Sequence, residues 1–175
     1  MTMQGSIEAL IAKDAIREVL YLYCHGSDRM DQALVESLFH PDAVLDYGSF
    51  QGGPQDLTAF SKEFLPRYEG TYHSLSNIMI RLDGTSATVV SYITAIHSRS
   101  KSSKGAKDVI LYARYIDRFE QREGEWKIAR RDVAMDWTLK LPSDFAWPEG
   151  FDGYVGRRDA DDPAALALAA ASVRS

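Results

Sequence analysis

The chain has 175 residues, 45% of them hydrophobic and 26% charged, enough for one domain with a real core and too apolar for a disordered segment. A formal net charge of −5 and a pI near 5.4 exclude a phosphate-seeking surface, so nucleic acid is not an expected partner. Short, charge-interrupted apolar runs argue against a membrane span, residues 1–6 show no leader pattern, and the solitary Cys24 excludes an internal disulfide; a cytoplasmic protein is expected.

Ile7, Leu10, Ile11, Val19, Leu20 and Tyr23 recur at three and four residues, which predicts a helix capped by Ser6 and ending at His25-Gly26. A second short helix is predicted from about Asp31, carrying Leu34, Val35, Leu38 and Phe39 inward until His40-Pro41 stops it. Residues 43–47 read as a short strand, followed by a glycine-rich turn through Gly48, Gly52 and Gly53. A third helix then runs from Pro54 to Tyr68, with Leu57, Phe60, Phe64 and Leu65 on one face. The remainder to Trp137 reads as two hairpins: 72–82 with 86–98 across Asp83-Gly84, and 108–122 with 125–137 across Glu123-Gly124. Between them, residues 98–107 form a polar basic loop, read as a solvated tip.

Helices first and antiparallel hairpins afterwards predict an α+β domain over residues 1–140, its N-terminal helices covering a curved sheet around one apolar pocket. Residues 141–175 are read as an extension that crosses a neighbouring subunit or covers the pocket mouth, with a helix starting at Asp162-Pro163.

His73 lies near the start of a long strand and shares its side of the pleat with Leu75, Asn77 and Met79 by period two. Asp28, just past the first helix, is its natural partner: a carboxylate there holds one imidazole nitrogen and leaves the other free to take a proton. The residues alone leave a second reading open, a core histidine and a helix cap. Tyr23, on the stripe of the first helix, offers a phenol to a developing negative charge, with Tyr47 and Tyr92 as weaker candidates. Arg130 and Arg131 have opposite parity, so one of them reaches inward, and His97 is a second imidazole near the end of its strand. No phosphate loop, metal-ligand spacing or serine-nucleophile motif is present, and no cofactor or metal is expected.

Four stretches in order, IREVLYLYCHGSDRMD, FHPDAVLDYG, YHSLSNIMIRLDGTSATVVSY and YIDRFEQREGEWKIARRDVAMDW, resemble the SnoaL-like family, within the nuclear transport factor two-like cone fold. The resemblance covers roughly residues 5–140. It implies an acid/base pair at Asp28 and His73, a tyrosine of the dehydratase branch at Tyr23, and an arginine at Arg131, five residues after Trp126. Enzymes of this group include dehydratases, a dehydrochlorinase, isomerases, polyketide cyclases and formaldehyde-releasing lyases. The dehydrochlorinase's helix lysine is replaced by Tyr23 and its pocket tryptophan by Leu45, which favours an oxygen-bearing substrate.

The resemblance therefore implies a cofactor-independent lyase acting on a bulky hydroxylated aromatic or polycyclic molecule. His73 and Asp28 would be the acid/base pair, assisted by Tyr23, and Arg131, Tyr47, Asn77, His97 and Tyr92 would contact the substrate. The alternatives are an isomerase or cyclase, or a non-catalytic ligand-binding protein or scaffold such as the small subunit of a ring-hydroxylating dioxygenase. A homo-oligomer, trimer or dimer, is expected.

Overall fold

The computed structural model describes residues 6–99, 105–146, 148, 150 and 153–172. The leader reading at residues 1–6 and the centre of the basic loop at 98–107 fall largely outside the described residues.

Helix α1 spans Ile7–Arg29, with the Ser6 hydroxyl accepting from Ala9 N–H and Met30 closing it in the left-handed region at φ 58°. It outruns its predicted end at His25-Gly26. Gly26 is not a terminator: a Cβ there would lie 2.9 Å from Val35 Cγ2, so the glycine lets α1 and the next helix approach. The buried stripe is Ala9, Ala12, Ile16, Leu20 and Tyr23, whereas Ile7, Leu10 and Ile11 are exposed. Small residues at 9 and 12 face the core, and the larger apolar ones at this end point outward.

Helix α2 (Gln32–Ser37) is capped by Asp31, and Phe39 already belongs to strand β1 (Phe39–Asp46) instead of the helix. A two-residue strand β2 (Gln51–Gly52) follows within the glycine-rich turn. Helix α3 (Pro54–Phe64) starts with proline at its first turn and Asp56 accepting from Gly53 N–H at 2.8 Å, then tightens into a 3₁₀ turn at Leu65–Arg67.

Strands β3 (Gly70–Asp83), β4 (Ser86–Ser98), β5 (Lys107–Arg122) and β6 (Glu125–Pro142) complete one sheet in the order β2-β1-β6-β5-β4-β3. All neighbouring pairs are antiparallel except β1 with β6, a parallel pairing that the hairpin pattern did not announce. The β5–β6 turn is Glu123-Gly124, as predicted, with φ 55° and 88°. The β3–β4 turn is Gly84-Thr85, one residue later than predicted, because Asp83 still pairs with Ser86.

Bulges interrupt the ladder, including one at Ser76/Met79 in β3 and one at Arg118/Phe119 between β5 and β6. Such bulges increase local twist and change which face a side chain occupies. The concave face meets α1, α2 and α3 through Ile16, Leu20, Leu45, Val89, Phe119 and Ile128. The result is the predicted α+β architecture, a curved, unclosed sheet with helices over its inner face.

The extension folds back on its own chain. Asp162, which is buried, starts helix α4 (Pro163–Ser172) by accepting from Ala164 N–H and lies 3.4 Å from Arg29 Nη1 at the end of α1. No helix among the described residues is long and apolar enough to cross a membrane.

Candidate active site

Strand β3 lies at the edge of the sheet, so its outward N–H groups need partners other than a strand. The last turn of α1 covers that edge and supplies one. Asp28 Oδ2 accepts from the His73 backbone N–H at 2.9 Å, and Oδ1 lies 2.7 Å from His73 Nδ1. Asp28 is 5% exposed and sits within α1, not beyond it as the sequence reading placed it. A carboxylate only accepts, so in the neutral imidazole the proton resides on Nδ1 and the lone pair on Nε2.

His73 borders a cavity of about 200 Å³ between the concave sheet face and helices α1 and α3. Its polar groups are Tyr23, Ser27, Tyr47, Ser49, Ser61, His73, His97 and Tyr115; its walls are otherwise aliphatic and aromatic. Few convergent polar groups in an apolar hollow is the usual composition of a small-molecule site.

Tyr23 and Tyr47 meet within the cavity wall, their phenol oxygens 2.8 Å apart. Burial, reinforced by Tyr23, pushes the Tyr47 phenol well above its ordinary pKa, so it keeps its proton. Tyr23 precedes Asp28 by five residues on α1, an axial rise of about 7.5 Å between their backbone positions. His97 stands at the acid/base end, its ring 5.5 Å from that of His73 and 4.9 Å from Tyr68. Burial and the neighbouring His73 lower its pKa to about 4, keeping it neutral and able to donate a hydrogen bond.

Arg131 does face inward, as parity required of one of the two arginines, but it does not line the cavity. It is fully buried, with Nε and Nη2 each 2.8 Å from Asp117. Its guanidinium carbon lies 4.3 Å from the Tyr23 ring centre and 4.0 Å from that of Tyr115. The expected substrate contact is therefore corrected: Arg131 is a cation beneath the tyrosine floor, stacked on the rings that face the guest. Arg130 points to the other face and pairs with Asp132, and Arg114 pairs there with Asp136.

Two further expectations are corrected. Asn77 occupies the β3 bulge at φ 48° and is exposed; the extra residue breaks the period-two rule, so Leu75 and Ile78 face inward while Asn77 and Met79 do not. Tyr92 has the opposite parity to Ile93 and Ala95, which line the cavity, and lies on the outer face at 40% exposure.

The sequence reading placed Phe60 and Phe64 on one face of the third helix with no role in the site, yet both line the cavity. They belong to a row of rings, Phe50, Phe60, Phe64 and Tyr68, each 5.3 Å from the next, that ends against His97. The spacing 60, 64, 68 was a visible signal, because aromatic residues at every fourth position form a continuous strip. Cys24 is buried, with its thiol pushed up to about 12 mainly by desolvation, and is unreactive.

The SnoaL-like domain profile matches residues 8–132. Hexachlorocyclohexane dehydrochlorinase 1 of Sphingobium indicum is 23% identical over 149 residues, covering 83% of this chain and 96% of that protein. A provisionally assigned scytalone dehydratase from Novosphingobium aromaticivorans is 28% identical, with a TM-score of 0.69 over 83% of this chain and 97% of its own. A hexachlorocyclohexane dehydrochlorinase from Novosphingobium barchaimii superposes with a TM-score of 0.71 at 18% identity, covering 81% and 98%. With the profile spanning well over half its length, the chain belongs to the SnoaL-like domain family.

Proposed function

We propose that the protein is a cofactor-free lyase that eliminates water from a hydroxylated cyclic molecule. One observation carries this reading: an imidazole whose Nδ1 is held by a buried carboxylate borders a cavity large enough for a guest. Relatives at 21–23% identity are dehydrochlorinases, which agrees with elimination chemistry in general. Tyr23 at the helix position and the Tyr23–Tyr47 donor pair favour oxygen over chlorine as the departing atom.

In this reading His73 Nε2 removes a proton from carbon. The freed electron pair forms the new double bond, the adjacent C–O bond breaks, and the departing oxygen takes up the proton held by His73 to leave as water, which returns the imidazole to its neutral form. Asp28 keeps the imidazole in one tautomer and stabilises its cationic form. Tyr47, protonated and bonded to Tyr23, and neutral His97 donate to the oxygens on which charge develops.

Cavity size narrows the guest. A void of about 150 Å³ holds benzene, so about 200 Å³ suits one substituted ring or a compact bicycle in preference to the larger polycyclic guest expected from sequence. Met135 lines the cavity and is half exposed, so substituents can protrude past it.

An isomerase would begin with the same proton removal and stop before C–O cleavage. A scaffold subunit is disfavoured by the open volume beside His73, which core side chains would otherwise fill. A homo-oligomer remains part of the proposal, supported by the exposed Tyr72, Trp137, Leu139 and Leu141 of the sheet strands; light scattering of the purified chain tests it.

The test is a panel of hydroxylated one- and two-ring compounds read by mass spectrometry for loss of 18 mass units, with His73→Ala as control. Turnover that survives this substitution nearly intact sinks the assignment. Loss of formaldehyde would move the reaction to carbon–carbon cleavage by the same base.

A further inference from the structure

The part of the chain that lies behind the acid/base end of the cavity is the extension, and one of its residues is tied to that end at several points. Arg158 Nη1 donates to the carbonyl oxygen of Tyr68, and Nη2 lies 3.4 Å from the Leu65 carbonyl and 3.5 Å from Thr71 Oγ1. These partners belong to two different elements. Leu65 and Tyr68 flank the 3₁₀ turn whose Tyr68 ring packs on His97, and Thr71 lies in β3 two residues before His73, on the same side of the pleat.

The opposite end of the same strap is fixed beside the catalytic carboxylate. Asp162 accepts from Arg157 N–H at 2.9 Å, which holds the turn carrying Arg158, and pairs with Arg29, the residue after Asp28. Arg29 Nη1 also donates to the Arg157 carbonyl at 2.6 Å. Arg158 and Asp28 lie close enough to interact: burial lowers the pKa of the guanidinium and Asp28 raises it. Arg158 Nε is buried without a hydrogen-bond partner among the described residues. A buried donor left unpaired is a cost that a purely surface strap would shed by turning to solvent.

We propose that Arg158 is a positioning residue for the acid/base machinery, clamping the Leu65–Tyr68 turn to β3 so that His97 and His73 keep their mutual geometry against Asp28. The inference rests on the lyase reading for its effect on turnover but not for its effect on the two imidazoles. It also gives the extension a role other than the two read from sequence, since no extension residue lines the cavity among the described residues.

The experiment is imidazole ¹⁵N NMR of the full chain, comparing wild type with Arg158→Gln and Arg158→Lys. His73 faces Asp28, and His97 faces His73 and Tyr68, with Arg158 behind them, so these are the groups whose displacement the two imidazoles report. In Arg158→Gln the His73 signal should lose the pure Nδ1–H pattern and the His97 midpoint should move. Arg158→Lys, which keeps the charge and one carbonyl contact, should restore both in part. With a confirmed substrate, kcat should fall about 10- to 100-fold at nearly constant KM, the loss that small misplacement of a reacting group produces.

Wild-type imidazole spectra in Arg158→Gln would overturn the proposal. Altered spectra together with no wild-type turnover on any compound would uphold the clamp and overturn the lyase reading. If Arg158→Gln does not fold, Asp162→Asn, which loosens the strap from Arg29 without touching the sheet, carries the same measurement.

Discussion

Asp28 holds His73 by both carboxylate oxygens, one on the ring nitrogen at 2.7 Å and one on the backbone N–H at 2.9 Å. A single side chain therefore satisfies an edge-strand donor and selects an imidazole tautomer. The backbone bond fixes where His73 starts, and the ring bond fixes where it points. Neither contact depends on a guest, so the site is organised before anything binds.

This geometry makes Asp28→Asn more disruptive than its shape implies. An amide has one acceptor and one donor end, so whichever way it sits, a donor faces either the backbone N–H or the protonated Nδ1. The ring would escape by moving its proton to Nε2, where the base is needed. Turnover should fall about 10²- to 10⁴-fold, as for loss of a general base held in the wrong tautomer. Stability should drop by only about 1–3 kcal/mol, because the two hydrogen bonds lose their charged acceptor. Steady-state kinetics alongside chemical denaturation checks both.

Beneath the tyrosine floor, Arg131 and Asp117 form a bidentate pair with no solvent access. Asp117→Ala should cost about 3–5 kcal/mol, because it strands a buried guanidinium. The double replacement Asp117→Leu with Arg131→Met should recover most of that loss, since it removes both desolvated charges. Turnover should fall in the double variant, because Tyr23 and Tyr115 would lose the cation stacked on their rings. Denaturant midpoints and kinetics on these two variants and the wild type separate the two roles.

Much of this was legible in the chain itself. The order of elements, the Glu123-Gly124 turn and the convergence of Asp28 with His73 all followed from periodicity or from the family resemblance. What escaped depended on contacts distant in sequence. Gly26 looks like a helix stop until Val35 is seen pressed against it. Arg131 looks like a substrate clamp until Asp117, fourteen residues earlier on β5, is seen to claim it. Parity rules failed at Asn77 for a similar reason: a bulge is invisible to a period-two count. Tyr92 was misplaced more simply, since its parity against Ile93 already put it outside.

The His97 pKa near 4 leads to a pH signature. An unfolded histidine titrates near 6.5. Between those values the unfolded chain binds a proton that the native protein refuses, so stability rises with pH across that window. His97 contributes fully above about pH 6.5, and its contribution is lost as pH falls toward 4, by up to about 3 kcal/mol for a shift of this size. Urea unfolding at pH 7.5, 5.5 and 4.5 should show wild type losing stability faster than His97→Asn. Parallel losses in both proteins would mean that His97 is not the group responsible.

The β3 bulge makes the sharpest test of how sequence sets the site. Asn77 sits at φ 48°, a conformation asparagine and glycine tolerate and β-branched residues resist. Asn77→Gly should be close to neutral, whereas Asn77→Val should destabilise by about 1–3 kcal/mol through backbone strain. Both should leave KM and kcat nearly unchanged, because the side chain is exposed and does not reach the cavity. Deleting residue 77 is a different matter. Without the extra residue, either 78–82 or 71–75 must exchange faces, exposing Ile80 or turning His73 away from Asp28. Ile80 is 4% exposed and packs in the core, so the deletion should unfold the chain or abolish turnover, and it cannot spare both. A deletion variant with wild-type melting and wild-type kinetics would show that the bulge does not set the inward faces of β3.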